Sequence, residues 1–314
     1  MPTSEKEEST QSPNDAEGRK WAGKTMGNSW MHKKLISILR HVDVRILYVF
    51  VDIFVIPVCL LTMRSRRTAY RYFRKRHGYG IVRSAWATYA NHCRFGAAVV
   101  DKFAMFAGKK FDIKVDGYEH FAALEGHADG FVQLSSHIGN FEIAGFTLKS
   151  ERKTIHALVF GGEKASVMAQ RNRLLSQHNI VLVPTSEDMS HIFALNNALS
   201  DGQIVTMPAD RIVGSVKSVE VNLLGAKAKL PMGPFLTPAM RGLDVLTVNV
   251  MKTSTKGYTV YITRLKYDRT GTRDEKVGQL AQAYAQQLEK MLRMYPTQWY
   301  NFFDFWEDDS SKEK

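Results

Sequence analysis

Between residues 111 and 208 short β-branched runs alternate with helix-like segments, and this alternation constrains the fold more than any other feature of the chain. The runs "FDIKVDG", "GFVQLS", "TIHALVF", "IVLVP" and "QIVTMP" have the length and composition of strands, and "YEHFAALEGH", "NFEIAGFTLKS", "EKASVMAQRNRLLSQH" and "EDMSHIFALNNALS" supply the helices between them. Strands joined through helices run parallel, and a parallel sheet needs apolar cover on both faces. The expected fold class is α/β, a largely parallel central sheet flanked by helices. Later runs, "SVEVNLLG", "LDVLTVNVM" and "GYTVYITRL", read as further strands, the last two as a hairpin. The segment "EKVGQLAQAYAQQLEKMLRMYP" reads as a long helix ended by Pro296.

Ahead of this region a different solvent is implied. Residues 46–63, "ILYVFVDIFVIPVCLLTM", carry one charge, Asp52, and one proline, Pro57. Their length is at the lower edge of a bilayer span. A buried core helix has the same composition, but the flanks are basic on both sides: Lys33, Lys34, Arg40 and Arg45 before, Arg64, Arg66, Arg67, Arg71, Arg74, Lys75 and Arg76 after. Such flanks mark a segment held at an anionic membrane surface. Basic flanks on both sides give no orientation, and Asp52 is costly at a hydrocarbon centre, so a monotopic anchor and a full span both stay open. The run "RSRRTAYRYFRKRHGYG" interleaves aromatics with cations and also suits nucleic acid, although adjacency to the apolar run favours lipid phosphate. The expected division is a polar, disordered tail over 1–20, a helical membrane-anchoring segment over 21–80, an α/β domain over 81–308 with a helix at about 81–108, and a second tail over 309–314.

The chain has 314 residues, with 43 Lys+Arg against 31 Asp+Glu, a balance of +12 that points to an anionic partner without naming it. Cys59 and Cys93 are its two cysteines, which suggests neither a disulfide framework nor a cysteine metal site, and a reducing compartment. The polar, acidic start is unlike a secretory signal peptide.

The chemistry concentrates in "GFVQLSSHIGNFEIAGF", residues 130–146. Five helical residues turn a side chain by about 500°, so His137 and Glu142 cannot share a helical face. They can meet across a corner: "VQLSS" is a strand, Gly139 is conformationally free, and Asn140 is a suitable N-cap for a helix starting near Phe141. His137 then lies at the C-terminal end of a strand, where open α/β sheets bind ligands. An imidazole there can take a proton from a substrate hydroxyl or amine, with Glu142 fixing its tautomer. No "GxSxG" or "HExxH" occurs, and Ser135 and Ser136 lie on the strand itself as structural residues.

The surrounding letters add a resemblance. "SSHIGNFE" is similar to the "HxGNWE" form of the H-x4-D/E block of the lysophospholipid acyltransferase superfamily, in its branch of lipid A secondary acyltransferases. "MPADRIVGS", "VEVNLLGAKAKLPMGPFLTPAMRGLDVLTVNV" and the terminal "YPTQWYNFFDFW" resemble that branch's later blocks in the same order, and "WAGKTMGNSW" fits one subgroup, so the resemblance covers about residues 21–306. Phe141 stands where Trp is more frequent, which keeps apolar bulk and loses an indole N–H.

The resemblance implies an acyltransferase of the inner membrane, its α/β domain on the cytoplasmic face. It would move an acyl chain from acyl carrier protein or coenzyme A to a hydroxyl or amine of a membrane lipid, with that thioester as co-substrate and no other cofactor, metal or nucleic acid. His137 and Glu142 would be catalytic. Asp210 and Arg211, in the "DR" block, would lie beside the same sheet edge, where a cation can bind phosphate or polarise the thioester carbonyl. The family often uses a basic residue at "AQRNR" for phosphate; Arg171 and Arg173 there are two apart and share no helical face, so at least one faces water, and Arg171 is the candidate. Gly233 either opens a helix able to receive an anion or serves only a turn, and Asn140 joins these as a substrate contact. Two other readings stand beside it: a hydrolase in which water replaces the lipid acceptor, and a non-catalytic protein that binds anionic membranes or nucleic acid through the basic run at 64–76, independently of His137 and Glu142.

Overall fold

The computed structural model describes residues 29–306 apart from 64, 163–167, 170, 173–174 and 213–216. The two tails and Arg173 therefore lie outside the described residues, as does half of the helix expected over 163–178 (163–167, 170 and 173–174), whose described end is a 3-10 turn at Ser176–His178.

Four helices come first: α1 (Ser29–His41), α2 (Val44–Thr62), α3 (Ser65–Arg76) and α4 (Ile81–Phe106). The domain then runs β1 (Asp112–Asp116), α5 (Tyr118–Glu125), β2 (Phe131–Ser135), a 3-10 turn (Phe141–Ile143) leading into α6 (Ala144–Thr147), β3 (Ile155–Val159), β4 (Ile180–Pro184), α7 (Ser190–Ser200) and β5 (Ile204–Pro208). The hairpin β6 (Ser218–Leu223) and β7 (Ala226–Pro231), α8 (Gly233–Arg241), β8 (Val245–Lys252), β9 (Gly257–Arg264) and α9 (Arg273–Met294) complete it. The seven-stranded sheet has the order β1-β9-β8-β2-β5-β3-β4, and every neighbouring pair is parallel except β8 with β9.

Alternate residues of the central strands feed two separate cores. Val132, Leu134, Val205, Met207 and Val245 join the cluster under α8 and α9, whereas Phe131, Ile204, Leu246, Val248 and Val250 join the one under α5 and the 3-10 turn. A sheet wetted on neither face has to be built this way, which is why β8 is buried at every position. α9 is started by a capping box in which the Thr272 side chain accepts from Glu275 N–H and Glu275 reaches back.

α2 is not a core helix. Its 19 residues reach about 28 Å at 1.5 Å per residue, close to a hydrocarbon thickness, and 11% of its apolar window is buried. Ile46, Val49, Phe50, Ile53, Phe54, Val58 and Leu61 are exposed, which suits a membrane and not water. Its middle turn, Val51–Val55, is π-helical, with the Ile56 N–H reaching back to Val51 O. Pro57 explains the widening, since its ring crowds the carbonyl four residues back.

Two expectations need correction. The helix read over 140–150 is the 3-10 turn followed by four helical residues, and β7, "AKAKLP", was not anticipated as a strand. The β6–β7 turn is Leu224–Gly225, both at positive φ (50° and 77°), the geometry of a tight two-residue hairpin.

Candidate active site

Strand pairing builds the site. In the parallel ladder of β2 and β5, Ser135 lies opposite Pro208, and Ala209 N–H donates to Ser135 O at 3.0 Å. Two residues further along each strand stand His137 and Asp210. His137 Nδ1 lies 2.7 Å from Asp210 Oδ1, and the His137 backbone N–H donates to Asp210 Oδ2 at 2.8 Å. A carboxylate only accepts, so Nδ1 carries the ring proton and the lone pair of the neutral imidazole is on Nε2.

Asp210 is buried. Burial alone raises its carboxyl, but the His137 ring, the His137 N–H and the Arg211 charge outweigh that and hold it below the ordinary 3.8. A folded-state value below the unfolded one contributes stability above the ordinary value that is lost as pH falls through the folded one. Asp210→Asn should therefore flatten the decline of the urea midpoint as the pH falls below the ordinary carboxylate range.

The corner between β2 and the 3-10 turn requires glycine. Gly139 has φ +58°, and a Cβ there would sit 1.9 Å from Val250 O. Gly139→Ala should cost well over the roughly 1–2 kcal/mol of left-handed strain alone and remove activity, to be read from a denaturation midpoint and a transfer assay on the same preparation.

Asn140 does not cap the helix. Its backbone N–H bonds Val250 O at 2.8 Å, which carries the side chain inward to Ala98 O (3.3 Å) and the Tyr258 hydroxyl (3.5 Å). Buried and engaged in this way, it packs the corner from beneath. Glu142 falls in the 3-10 turn, and its side chain lies outside the described residues. Phe141 is exposed and stands edge-on to the His137 ring at 5.7 Å.

The terminal block "YPTQWYNFFDFW" lies across the corner. Ile138 bridges Trp299, Gly139 N–H donates to Gln298 O at 2.8 Å, and Tyr300 N–H to His137 O at 3.3 Å. Arg211 Nη2 donates to Tyr300 O at 2.9 Å, which closes a ring through His137, Asp210, Arg211 and Tyr300. Asn91 of α4 holds the segment from behind, its Nδ2 donating to Thr297 O (3.0 Å) and Trp299 O (2.8 Å). Beneath, the Tyr284 hydroxyl of α9 donates to Ser135 O at 3.0 Å and shares a 2.8 Å hydrogen bond with Ser136 Oγ, which gives Ser136 a structural place.

The remaining candidates are more scattered. Arg171 is buried, and burial pushes its guanidinium down to about 10. At Gly233 nothing lies within 4 Å of a Cβ, so the backbone is open to approach. However, Pro234 has no N–H, and those of Phe235 and Leu236 return to Met232 O, so the turn offers at most the Gly233 N–H to an anion. Among the described residues no cluster of three or more His, Cys, Asp or Glu could hold a metal.

Sequence reasoning missed Tyr300, Gln298, Asn91 and Tyr284. The first two lie in the terminal block, whose residues carry no local signal of where it packs.

Comparison with known proteins bears on this geometry. A search of curated proteins finds no match. Among solved structures the chain resembles the crystal structure of the 1-acyl-sn-glycerophosphate (LPA) acyltransferase PlsC from Thermotoga maritima, at 13% identity over 86% of this chain and 100% of that one. The TM-score is 0.37, a likeness too distant to speak for the chemistry. The model of the bacterial lipid A biosynthesis acyltransferases matches residues 76–307, from the end of α3 through the terminal block. The match takes in the His137 corner, Asp210 and the segment clasped over them, and the chain belongs to the family of bacterial lipid A biosynthesis acyltransferases.

Proposed function

We propose that this acyltransferase moves a fatty acyl chain from acyl carrier protein or coenzyme A to a hydroxyl or amine of a membrane glycolipid such as a lipid A precursor, with His137 as general base. The observation that carries the reading is the His137–Asp210 pair at the C-terminal edge of the parallel sheet, with Nδ1 held by the carboxylate. Nε2 takes the acceptor proton as the acceptor's oxygen or nitrogen attacks the thioester carbonyl, and Asp210 stabilises the imidazolium. The tetrahedral intermediate collapses, expelling the thiolate, which recovers the proton from Nε2. The products are an acylated lipid and a free thiol, and His137 is regenerated.

Glu142, from the first turn after the corner, is the second carboxylate of this scheme. Arg171 and Arg211 are the cations for a phosphate or for the polarised carbonyl, and Gly233 contributes one N–H. α2 would seat the protein in the inner membrane, with the domain on the cytoplasmic face, where both carriers are found.

The purified protein should transfer radiolabel from an acylated carrier protein to a lipid in a total extract. Label recovered only as free fatty acid, with lipid present, would instead support the hydrolase reading.

A further inference from the structure

Behind the His137 corner lies a second buried cluster that the transfer scheme does not use. The Asp101 carboxylate of α4 is wholly buried (side-chain exposure 0%) and pairs with Lys252 at the end of β8 (5%), Oδ2 to Nζ 2.6 Å. The same carboxylate accepts the Tyr258 hydroxyl from β9 and the Tyr48 hydroxyl from α2. Lys252 Nζ also donates to Thr255 O at 2.9 Å, with the rings of Tyr258, Tyr48 and Phe111 around it at 4.7, 5.0 and 5.6 Å. Burial pushes the Asp101 carboxyl up and the Lys252 ammonium down, and their mutual attraction opposes both.

A buried ion pair is a poor device for net stability, because desolvation cancels most of the attraction, whereas it can hold its neighbours in one geometry. The neighbours here are parts of the corner. Gln298 clamps the Lys252 backbone from both sides, its Oε1 accepting Lys252 N–H at 2.9 Å and its Nε2 donating to Lys252 O at 2.8 Å, and the Gln298 carbonyl takes the Gly139 N–H. Tyr258 is the hydroxyl met by Asn140 Nδ2. The cluster thus reaches the chain two and three residues after His137. It also reaches α2, which lies close on α4: a Cβ on Gly96 would be 2.7 Å from Val51 Cγ1.

We propose that Asp101 and Lys252 are positioning residues for acyl transfer: their pair fixes the end of β8 and Tyr258, and through Gln298 and Asn140 these keep His137 in register with Asp210, with Tyr48 tying the seating of α2 to the same carboxylate. The proposal rests on the reading of His137 as the base.

The test uses the full chain in detergent, with wild type, His137→Ala, Lys252→Met, the double variant Asp101→Asn/Lys252→Met, Tyr258→Phe and Tyr48→Phe. Lys252→Met should lower kcat at least tenfold with KM for the donor within twofold. The double variant leaves no uncompensated buried charge, so its Tm should recover toward wild type while its kcat stays low. Tyr258→Phe and Tyr48→Phe keep the ion pair and the fold, and each should lower kcat about threefold without moving Tm by more than a few degrees. Recovery of kcat together with Tm in the double variant, or unchanged kcat in both Phe variants, overturns the positioning role. An active His137→Ala protein overturns the base assignment instead, so the two failures are separable.

Discussion

Alanine at position 137 should abolish lipid acylation, with kcat falling by about 10²–10⁴, the usual contribution of a positioned general base. The loss should not come from unfolding. The backbone bonds of His137, N–H to Asp210 Oδ2 and O from Tyr300 N–H, do not involve the ring and survive the change. What is lost is the ring donor to Asp210 Oδ1, so a buried carboxylate keeps one of these two partners. A stability cost of about 1–3 kcal/mol is expected for that, visible as a lower denaturation midpoint of a protein that still folds. Donor affinity should change little, because the imidazole acts on the acceptor proton and not on the acyl chain. A folded His137→Ala protein that acylates lipid at the wild-type rate would sink the assignment and leave the corner a structural motif.

Much of the fold was legible because the signals were local. Short β-branched runs separated by helices implied parallel pairing, and the C-terminal pair of runs was read as the hairpin that β8 and β9 form. The corner at Gly139 was legible for the same reason, since a strand, a glycine and a turn lie within ten residues. β7 escaped because "AKAKLP" has small and charged residues where a strand usually shows β-branched ones, and its turn uses Leu224 where Asn or Asp is customary. The assembly of the site was the less legible part. Asp210 was marked as lying near the same sheet edge, but that it meets Nδ1 follows from β5 lying next to β2 and from the Ser135–Pro208 register, and strand order is not written in periodicity. The C-terminal clasp is a contact across more than 150 residues, and Asp101 with Lys252 is another, so neither leaves a mark in any window of the sequence.

Asp210→Asn should cost about 10³–10⁴ in kcat with little change in KM, the size seen when a triad-type carboxylate is made neutral and its histidine is left without a tautomer lock. The amide has the same shape and can keep one contact, but an amide nitrogen turned toward Nδ1 donates where an acceptor is needed, and the ring then presents N–H at Nε2 in place of a lone pair. The variant should fold, since removing a buried charge also removes its desolvation cost. Glu142→Gln supplies the contrast, because five residues separate it from His137 and the corner brings its backbone into the first turn beyond the base. Asp210 already holds Nδ1, so the loss of Glu142 should act on acceptor placement and raise KM for the lipid as well as lowering kcat. If Asp210→Asn retains wild-type kcat and Glu142→Gln alone removes it, the orienting role belongs to Glu142, and the Asp210 contact serves only to join β5 to the corner.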